Sequence, residues 1–270
     1  MDSALRQLVD FARYPLDEPD SQQLQNLVAE CRADLEERAL CALPGFVRPE
    51  VLVRMEAEIA SVAGEAYRFD HARPAYDPDD NEWPPDHPRV AVHDCRYHQI
   101  LNHQISNDSL LRQLYLCECL TEFVRQVLGY TTLFRSACPH LALTVHVGGP
   151  GDCNGWHYDS NDAVFSLLLS EADSGGNFEY VPYVRDGHNE NYEALADIFA
   201  RPQDLAARPP IRAGTLTLFK GNESIHRVTE IGAASKPRRI AVFSYDRAPN
   251  MVFSQGYIEQ VRSLGQGVMT

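Results

Sequence analysis

The run "GTLTLFKGNESIHRVTEI", residues 214 to 231, sets two stretches rich in β-branched and apolar residues on either side of a glycine-asparagine pair. That pattern reads as two strands joined by a turn. Similar runs surround it: "LALTVHVGG", "VFSLLLS", "NFEYVPYV" and "RIAVFSYD", each bounded by glycine or other turn residues. The series predicts a β-sandwich or barrel over residues 138 to 270. One segment, "NENYEALADIFARPQDLAARPP", interrupts it with a helix and a proline-rich connection.

Residues 1 to 137 read as mainly helical material packed outside that core, the two parts making one domain. "SQQLQNLVAECRADLEERA" opens on a serine suited to capping and repeats Leu24, Leu27, Val28, Cys31 and Leu35 at helical spacing. A second helix follows Pro49 in "PEVLVRMEAEIASVAGEAY", and helical character returns in "DSLLRQLYL" and "CLTEFVRQVLG". Between them "ARPAYDPDDNEWPPDHPRVAV", residues 72 to 92, reads as a long loop.

The chain has 270 residues, 44% of them hydrophobic, enough for a sizeable core. Its 24 Lys and Arg against 38 Asp and Glu give a net charge of -14, which repels nucleic acid and anionic membranes in the absence of a local basic patch. No signal-peptide pattern and no apolar run approaching roughly 20 residues is present, so a cytoplasmic protein without membrane contact is expected. Seven scattered cysteines without a CxxC pair predict reduced, mostly buried thiols. Cys117 and Cys119, one residue apart in a helix-like segment, are expected on different faces.

Just after a Gly-Pro-Gly turn, "NGWHYDSND" (154 to 162) carries chemistry. In an extended strand His157 and Asp159 emerge on one side and Tyr158 on the other. Two imidazoles and one carboxylate form the facial triad of non-haem Fe(II) oxygenases, so a second histidine is needed from another strand. His188 lies in the polar loop "RDGHNEN", whereas His226 opens a strand 226 - 159 = 67 positions beyond the aspartate; His226 is the expected partner. An HxD pair alone arises easily by chance among 10 histidines. Combined with His226 and an arginine entering the next strand, it points to metal.

The arginine matters because reducing O2 takes two electrons beyond those of the substrate, which a 2-oxo acid supplies by decarboxylation. Arginine can grip its far carboxylate with two parallel hydrogen bonds. "KPRRIAVFSYD" offers Arg238, on a face with Ile240, Val242, Ser244 and Asp246, and Arg239, on a face with Ala241, Phe243 and Tyr245. Periodicity leaves both open.

With "HYD", "GGNFEYVP" (175 to 182), the opening run and "PRRIAVFSYDRAPNMVFS", the chain resembles the Fe(II)/2-oxoglutarate-dependent dioxygenase superfamily over roughly residues 140 to 255. The resemblance implies a mainly β fold, a double-stranded β-helix or jelly roll, flanked by the N-terminal helices. It places His157, Asp159 and His226 on the iron ligands and Arg238 on the 2-oxoglutarate anchor, with Arg239 as the alternative. Fe(II), 2-oxoglutarate as cosubstrate and O2 are the implied cofactors. "FSLLLSEADSGGNFEYVPYVR" further resembles the branch that hydroxylates, halogenates or cyclises free amino acids. Halogenases of that branch carry glycine in place of the aspartate, which vacates a position for chloride, so Asp159 disfavours halogenation. The implied reaction is oxidation of an unactivated C–H bond, foremost hydroxylation, coupled to decarboxylation of 2-oxoglutarate to succinate.

A small-molecule substrate, an amino acid, would need a cation for its carboxylate and an anion or carbonyl for its ammonium. Arg96 and Asp246 are candidates, and His140, Asn154 and Ser160 lie close to the ligands in sequence. Arg96 in a surface ion pair and Asp246 opening a turn are the competing structural roles. Trp156 and Tyr158 are expected as core aromatics, and Glu179 facing solvent. Two rivals share the sequence features: a non-catalytic jelly-roll binding protein, and an oxygenase acting on a protein or carrier-bound substrate.

Overall fold

The computed structural model describes residues 5–76, 81–160, 164–233 and 235–264. Its strands are β1 (Leu40–Leu43), β2 (Tyr67–Pro74), β3 (Val92–Ile100), β4 (Phe134–Arg135), β5 (Leu143–Gly148), β6 (Cys153–His157), β7 (Val164–Ser170), β8 (Phe178–Val181), β9 (Leu216–Phe219), β10 (Ile225–Val228), β11 (Arg238–Phe243) and β12 (Tyr245–Asp246). The helices are α1 (Leu5–Leu8), α2 (Gln22–Arg38), α3 (Pro49–Val62), α4 (Leu110–Tyr115), α5 (Glu118–Leu128), α6 (Tyr192–Ala200), α7 (Pro202–Leu205) and α8 (Gln255–Leu264). No helix among the described residues is long and apolar enough to cross a membrane.

The main sheet runs β1-β9-β7-β11-β5-β3-β6-β10-β8, with β2 added on β3, while β12 and β4 form a separate ribbon. Alternation divides its two faces. Leu143, Val145 and Val147 of β5, Phe165, Leu167 and Leu169 of β7, and Ala241 and Phe243 of β11 point into one large core with the N-terminal helices. Against them α2 buries Leu24, Val28, Cys31 and Leu35, and α3 buries Val51, Met55 and Ile59. Each such side chain removed from water contributes about 1.5–3 kcal/mol. The intervening residues of the same strands, Thr144 and His146, Ser166 and Leu168, Ile240 and Val242, line a cavity on the opposite face. The jelly-roll core is thus a sheet with an apolar side for helices and a polar side for chemistry.

The serine cap is present: Ser21 Oγ accepts from Leu24 N at 3.1 Å. Pro49 stands in the first turn of α3, where its missing N–H costs nothing.

The helical reading of residues 1–137 needs correction. β1, β2 and β3 belong to the main sheet, and β3 lies in its middle, pairing with β5 through Ile100↔Val145 and with β6 through Cys95↔Asn154. The strand is hard to read because "VHDCRYHQI" has no aliphatic run. Tyr97 and Gln99 face the cavity, and Asp94 and Arg96 pair with each other at 2.6 Å. The loop expected at 72–92 begins only after Pro74 and ends before Val92; residues 77–80 of it lie outside the described residues.

Cys117 and Cys119 are also corrected: they form a disulfide, with Cα atoms 5.4 Å apart. Cys117 precedes α5 in an extended conformation (φ -65°, ψ 118°), so helical geometry does not separate the two side chains. The other five cysteines are free, and four of them are buried.

Candidate metal centre and oxidation pocket

β6 and β10 are antiparallel neighbours, and their register sets His157 opposite His226. The next pair is Asn154↔Val228. Three residues of β6 therefore span two of β10, a bulge that brings Asn154 and His157 to the same side. Beyond the strand, Asp159 N donates to Gly221 O at 3.0 Å and turns the carboxylate back toward His226.

The ligating atoms of His157, Asp159 and His226 lie within 4.8 Å of one another. The imidazole rings are 4.1 Å apart, and Asp159 Oδ1 lies 3.5 Å from His226 Nε2. Each histidine is tied in the same way. His157 Nδ1 donates to Gly155 O at 2.7 Å, and His226 Nδ1 donates to Ser224 O at 3.0 Å. A carbonyl can only accept, so Nδ1 carries a proton, and in the neutral ring Nε2 keeps its lone pair for the shared point. The donor set fits an octahedral Fe(II) with three adjacent positions left open.

Electrostatics favour the ligand forms. Burial, helped by His226 and Arg73, holds His157 well below the usual imidazole range. Burial raises the Asp159 carboxyl, but His226 and His157 outweigh it and the pKa is lowered. A neutral imidazole and an ionised carboxylate need shed no proton to bind a metal.

The three residues stand in a cavity of about 990 Å³. Arg238 enters it 9% exposed, and burial lowers its pKa to about 10. Its stem passes two glycines: Gly148, its cross-strand partner, and Gly176, where an added Cβ would lie 3.2 Å from Arg238 Cδ. No carboxylate among the described residues pairs with it. Arg239 points the other way and forms an ion pair with Glu56 of α3, which answers the question periodicity left open about which arginine faces the cavity. His188 stays in an exposed loop with its N–H on Asp186.

Other expected contacts divide. Asn154 Nδ2 lies 3.3 Å from His157 Nε2, and Ser160 lines the cavity. Arg96 reaches the rim but is bound to Asp94, Glu230 and Gly151 O, the surface-pair role. His140 is a correction: it lies outside the cavity, its Nδ1 3.2 Å from that of His103. Asp246 is another: a break at Ser244 moves it into the β12–β4 ribbon, where Oδ1 accepts from Ala248 N at 2.7 Å and opens a turn. Trp156 and Tyr158 are buried in an aromatic cluster behind the triad. Glu179 is 3% exposed rather than solvated, held by Arg227 and Arg208.

Among the cavity residues that sequence did not single out, His146 and Arg73 act on the site's charges. His146 lines the cavity, feels the charges of both Arg238 and Asp159, stacks on Tyr97 at 4.7 Å, and is pushed by burial to about 4. Its alternation with Thr144 was the available signal. Arg73 faces the triad from β2 and lowers the pKa of both His157 and Asp159; no carboxylate among the described residues pairs with it. It was hidden inside the stretch read as a loop.

The fold and the triad together are those of an Fe(II)/2-oxoglutarate-dependent oxygenase, and the donor set fits iron. The chain belongs to the Halogenase D family, whose profile matches residues 23–255. Similar solved structures include AviO1 from Streptomyces viridochromogenes Tue57, 13% identical over 82% of this chain and 95% of that one, with a TM-score of 0.56. The non-haem α-ketoglutarate-dependent carbocyclase SnoK from nogalamycin biosynthesis is 15% identical over 88% and 92%, TM-score 0.55. The epimerase SnoN, in a complex with Fe3+, α-ketoglutarate and nogalamycin RO, is 14% identical over 91% and 94%, TM-score 0.53. At these identities the likeness is one of fold. No curated protein matches the chain.

Proposed function

We propose that this oxygenase hydroxylates a free amino acid or close derivative, with His157, Asp159 and His226 holding the iron and Arg238 holding 2-oxoglutarate. The observation that carries the reading is that Arg238 and Arg73, neither paired with a carboxylate among the described residues, share one cavity with the triad. One anion is the cosubstrate; the second cation calls for an anionic group on the substrate.

Iron with 2-oxoglutarate and O2 supplies the oxidising power for an unactivated C–H bond. The protein does the rest. Arg238 fixes the far carboxylate of 2-oxoglutarate in a site too dry to leave either charge unpaired. His146, held neutral, offers it a hydrogen bond without adding charge. Arg73 takes the role first given to Arg96, seating the substrate carboxylate and so fixing which carbon faces the metal. Asp159 occupies the position that a halide would need, which favours hydroxylation within a family named for halogenation.

The test is succinate formation from 2-oxoglutarate by Fe(II)-reconstituted protein with a panel of free amino acids. Stimulation by one amino acid, a product heavier by one oxygen and loss of stimulation in Arg73→Ala support the reading. A product short of two hydrogens would assign desaturation or cyclisation. Stimulation only by carrier-bound or peptidyl substrates would overturn the free-amino-acid assignment.

A further inference from the structure

Gly221 touches the metal-binding carboxylate more closely than any side chain could. A Cβ built on it would lie 1.8 Å from Asp159 Oδ2 and 2.6 Å from Asp159 Cγ. Its φ lies outside the left-handed region, so the backbone would accept alanine there and the conflict is purely steric.

Which side would give way follows from what holds each. Residue 221 belongs to a turn pinned at both ends. Lys220 N donates to Ala39 O at 2.9 Å, and Ser224 N returns to Lys220 O at 3.1 Å. Ser224 is fully buried, its Oγ accepts from Tyr183 N at 3.1 Å, and its carbonyl orients His226. The carboxylate is the free end of a side chain 20% exposed to solvent. It can rotate away; the turn cannot.

We infer that Gly221 is a positioning residue for the iron site: the missing side chain leaves the space in which the Asp159 carboxylate rests when it reaches the metal. The inference rests on the proposal that Asp159 is a ligand. The same residue supplies the backbone oxygen that receives the Asp159 N–H, so one position sets both the direction and the room of the third ligand. Any larger residue at 221 turns the three-residue site into a two-histidine site without altering a ligand.

A double-mutant cycle on metal affinity tests this, read by calorimetric titration of Mn(II) or Co(II) into the metal-free full chain, so that activity is not needed. Gly221→Ala should weaken binding about 10–100-fold, the range for losing support of a metal ligand, and as much as Asp159→Gly does. In the Asp159→Gly background the alanine should change affinity by less than about twofold. The ligand-field spectrum of the Co(II) form should match between Gly221→Ala and Asp159→Gly. Thermal melts of the metal-free proteins monitor folding; if Gly221→Ala alone unfolds, the fold should return in the double variant, where the clash is gone. Wild-type affinity in Gly221→Ala, or losses that multiply in the double variant, would overturn the inference. Failure of the wild type itself to bind metal would sink the iron assignment instead.

Discussion

His157 and His226 stand opposite one another across the β6–β10 pair, and each donates its Nδ1 proton to the backbone carbonyl two residues before it. The arrangement leaves the two Nε2 atoms facing one point with the Asp159 carboxylate beside them. Metal should therefore stabilise the fold by mass action. At a free Mn(II) concentration 100 times Kd the gain is about 2.7 kcal/mol, which calorimetric melting reads as a rise of several degrees. His226→Ala should show no such rise; an equal rise there would mean the ion binds elsewhere.

Arg238 and Arg239 are adjacent and should behave oppositely. Arg238→Ala removes a buried guanidinium that no carboxylate among the described residues pairs with, so the metal-free protein should be as stable as wild type or more so. Its KM for 2-oxoglutarate should rise about 10–100-fold, the worth of charge-assisted hydrogen bonds. Arg239→Ala breaks the contact with Glu56 and should cost about 1–2 kcal/mol in urea denaturation while leaving that KM in place. Reversal of the two phenotypes would move the anchor to Arg239.

Glu179 ties β8 to β10 beneath the site. Burial raises its carboxyl, but Arg208 and Arg227 outweigh it and the pKa is lowered. Arg227 also lies 4.6 Å over the Trp156 ring, so the ion pair supports the aromatic wall behind His157. Glu179→Ala should destabilise by about 1–3 kcal/mol, less than a fully buried pair because both arginines reach water. A depressed carboxylate contributes stability above its unfolded pKa, lost as pH falls through the folded value. The deficit of the variant should therefore be full at pH 7 and shrink in acid; a pH-independent deficit would mean packing alone is lost.

His93 and His146 supply a second acid sensitivity. Burial, reinforced by arginines, pushes both to about 4. With folded values below the unfolded one near 6.5, the unfolded chain binds more protons in that window. Metal-free stability should be level above about pH 6.5 and fall between pH 6.5 and 4. Urea midpoints measured across the range check this, and His146→Gln should flatten part of the slope.

The residues that declare themselves in sequence are those whose surroundings are regular. Leu24, Val28, Cys31 and Leu35 repeat at helical spacing because one face of α2 is buried, and β11 alternates because one face meets the helical core and the other the cavity. His157 and His226 stand on strands and were legible for the same reason, whereas Asp159 lies beyond β6 and reaches them through its bond to Gly221 O. β2 and β3 were not. Their inner residues are His71, Arg73, Tyr97 and Gln99, polar because they line the cavity, so hydrophobic periodicity is silent where function is concentrated. Asp246 misled in the opposite sense: alternation carried through Ser244, but the chain leaves the sheet there. Gly221 and the carboxylate it accommodates are a tertiary relation that no spacing encodes.

The most direct test of the central claim is O2-dependent conversion of 2-oxoglutarate to succinate by the Fe(II)-loaded chain, with free amino acids as stimulants and product mass as readout. The account predicts that one amino acid raises turnover well above the uncoupled rate, that its product gains a single oxygen even with chloride in excess, and that His226→Ala and Arg238→Ala abolish the effect. A chlorinated product, or iron binding with no 2-oxoglutarate consumed under any substrate, would contradict it.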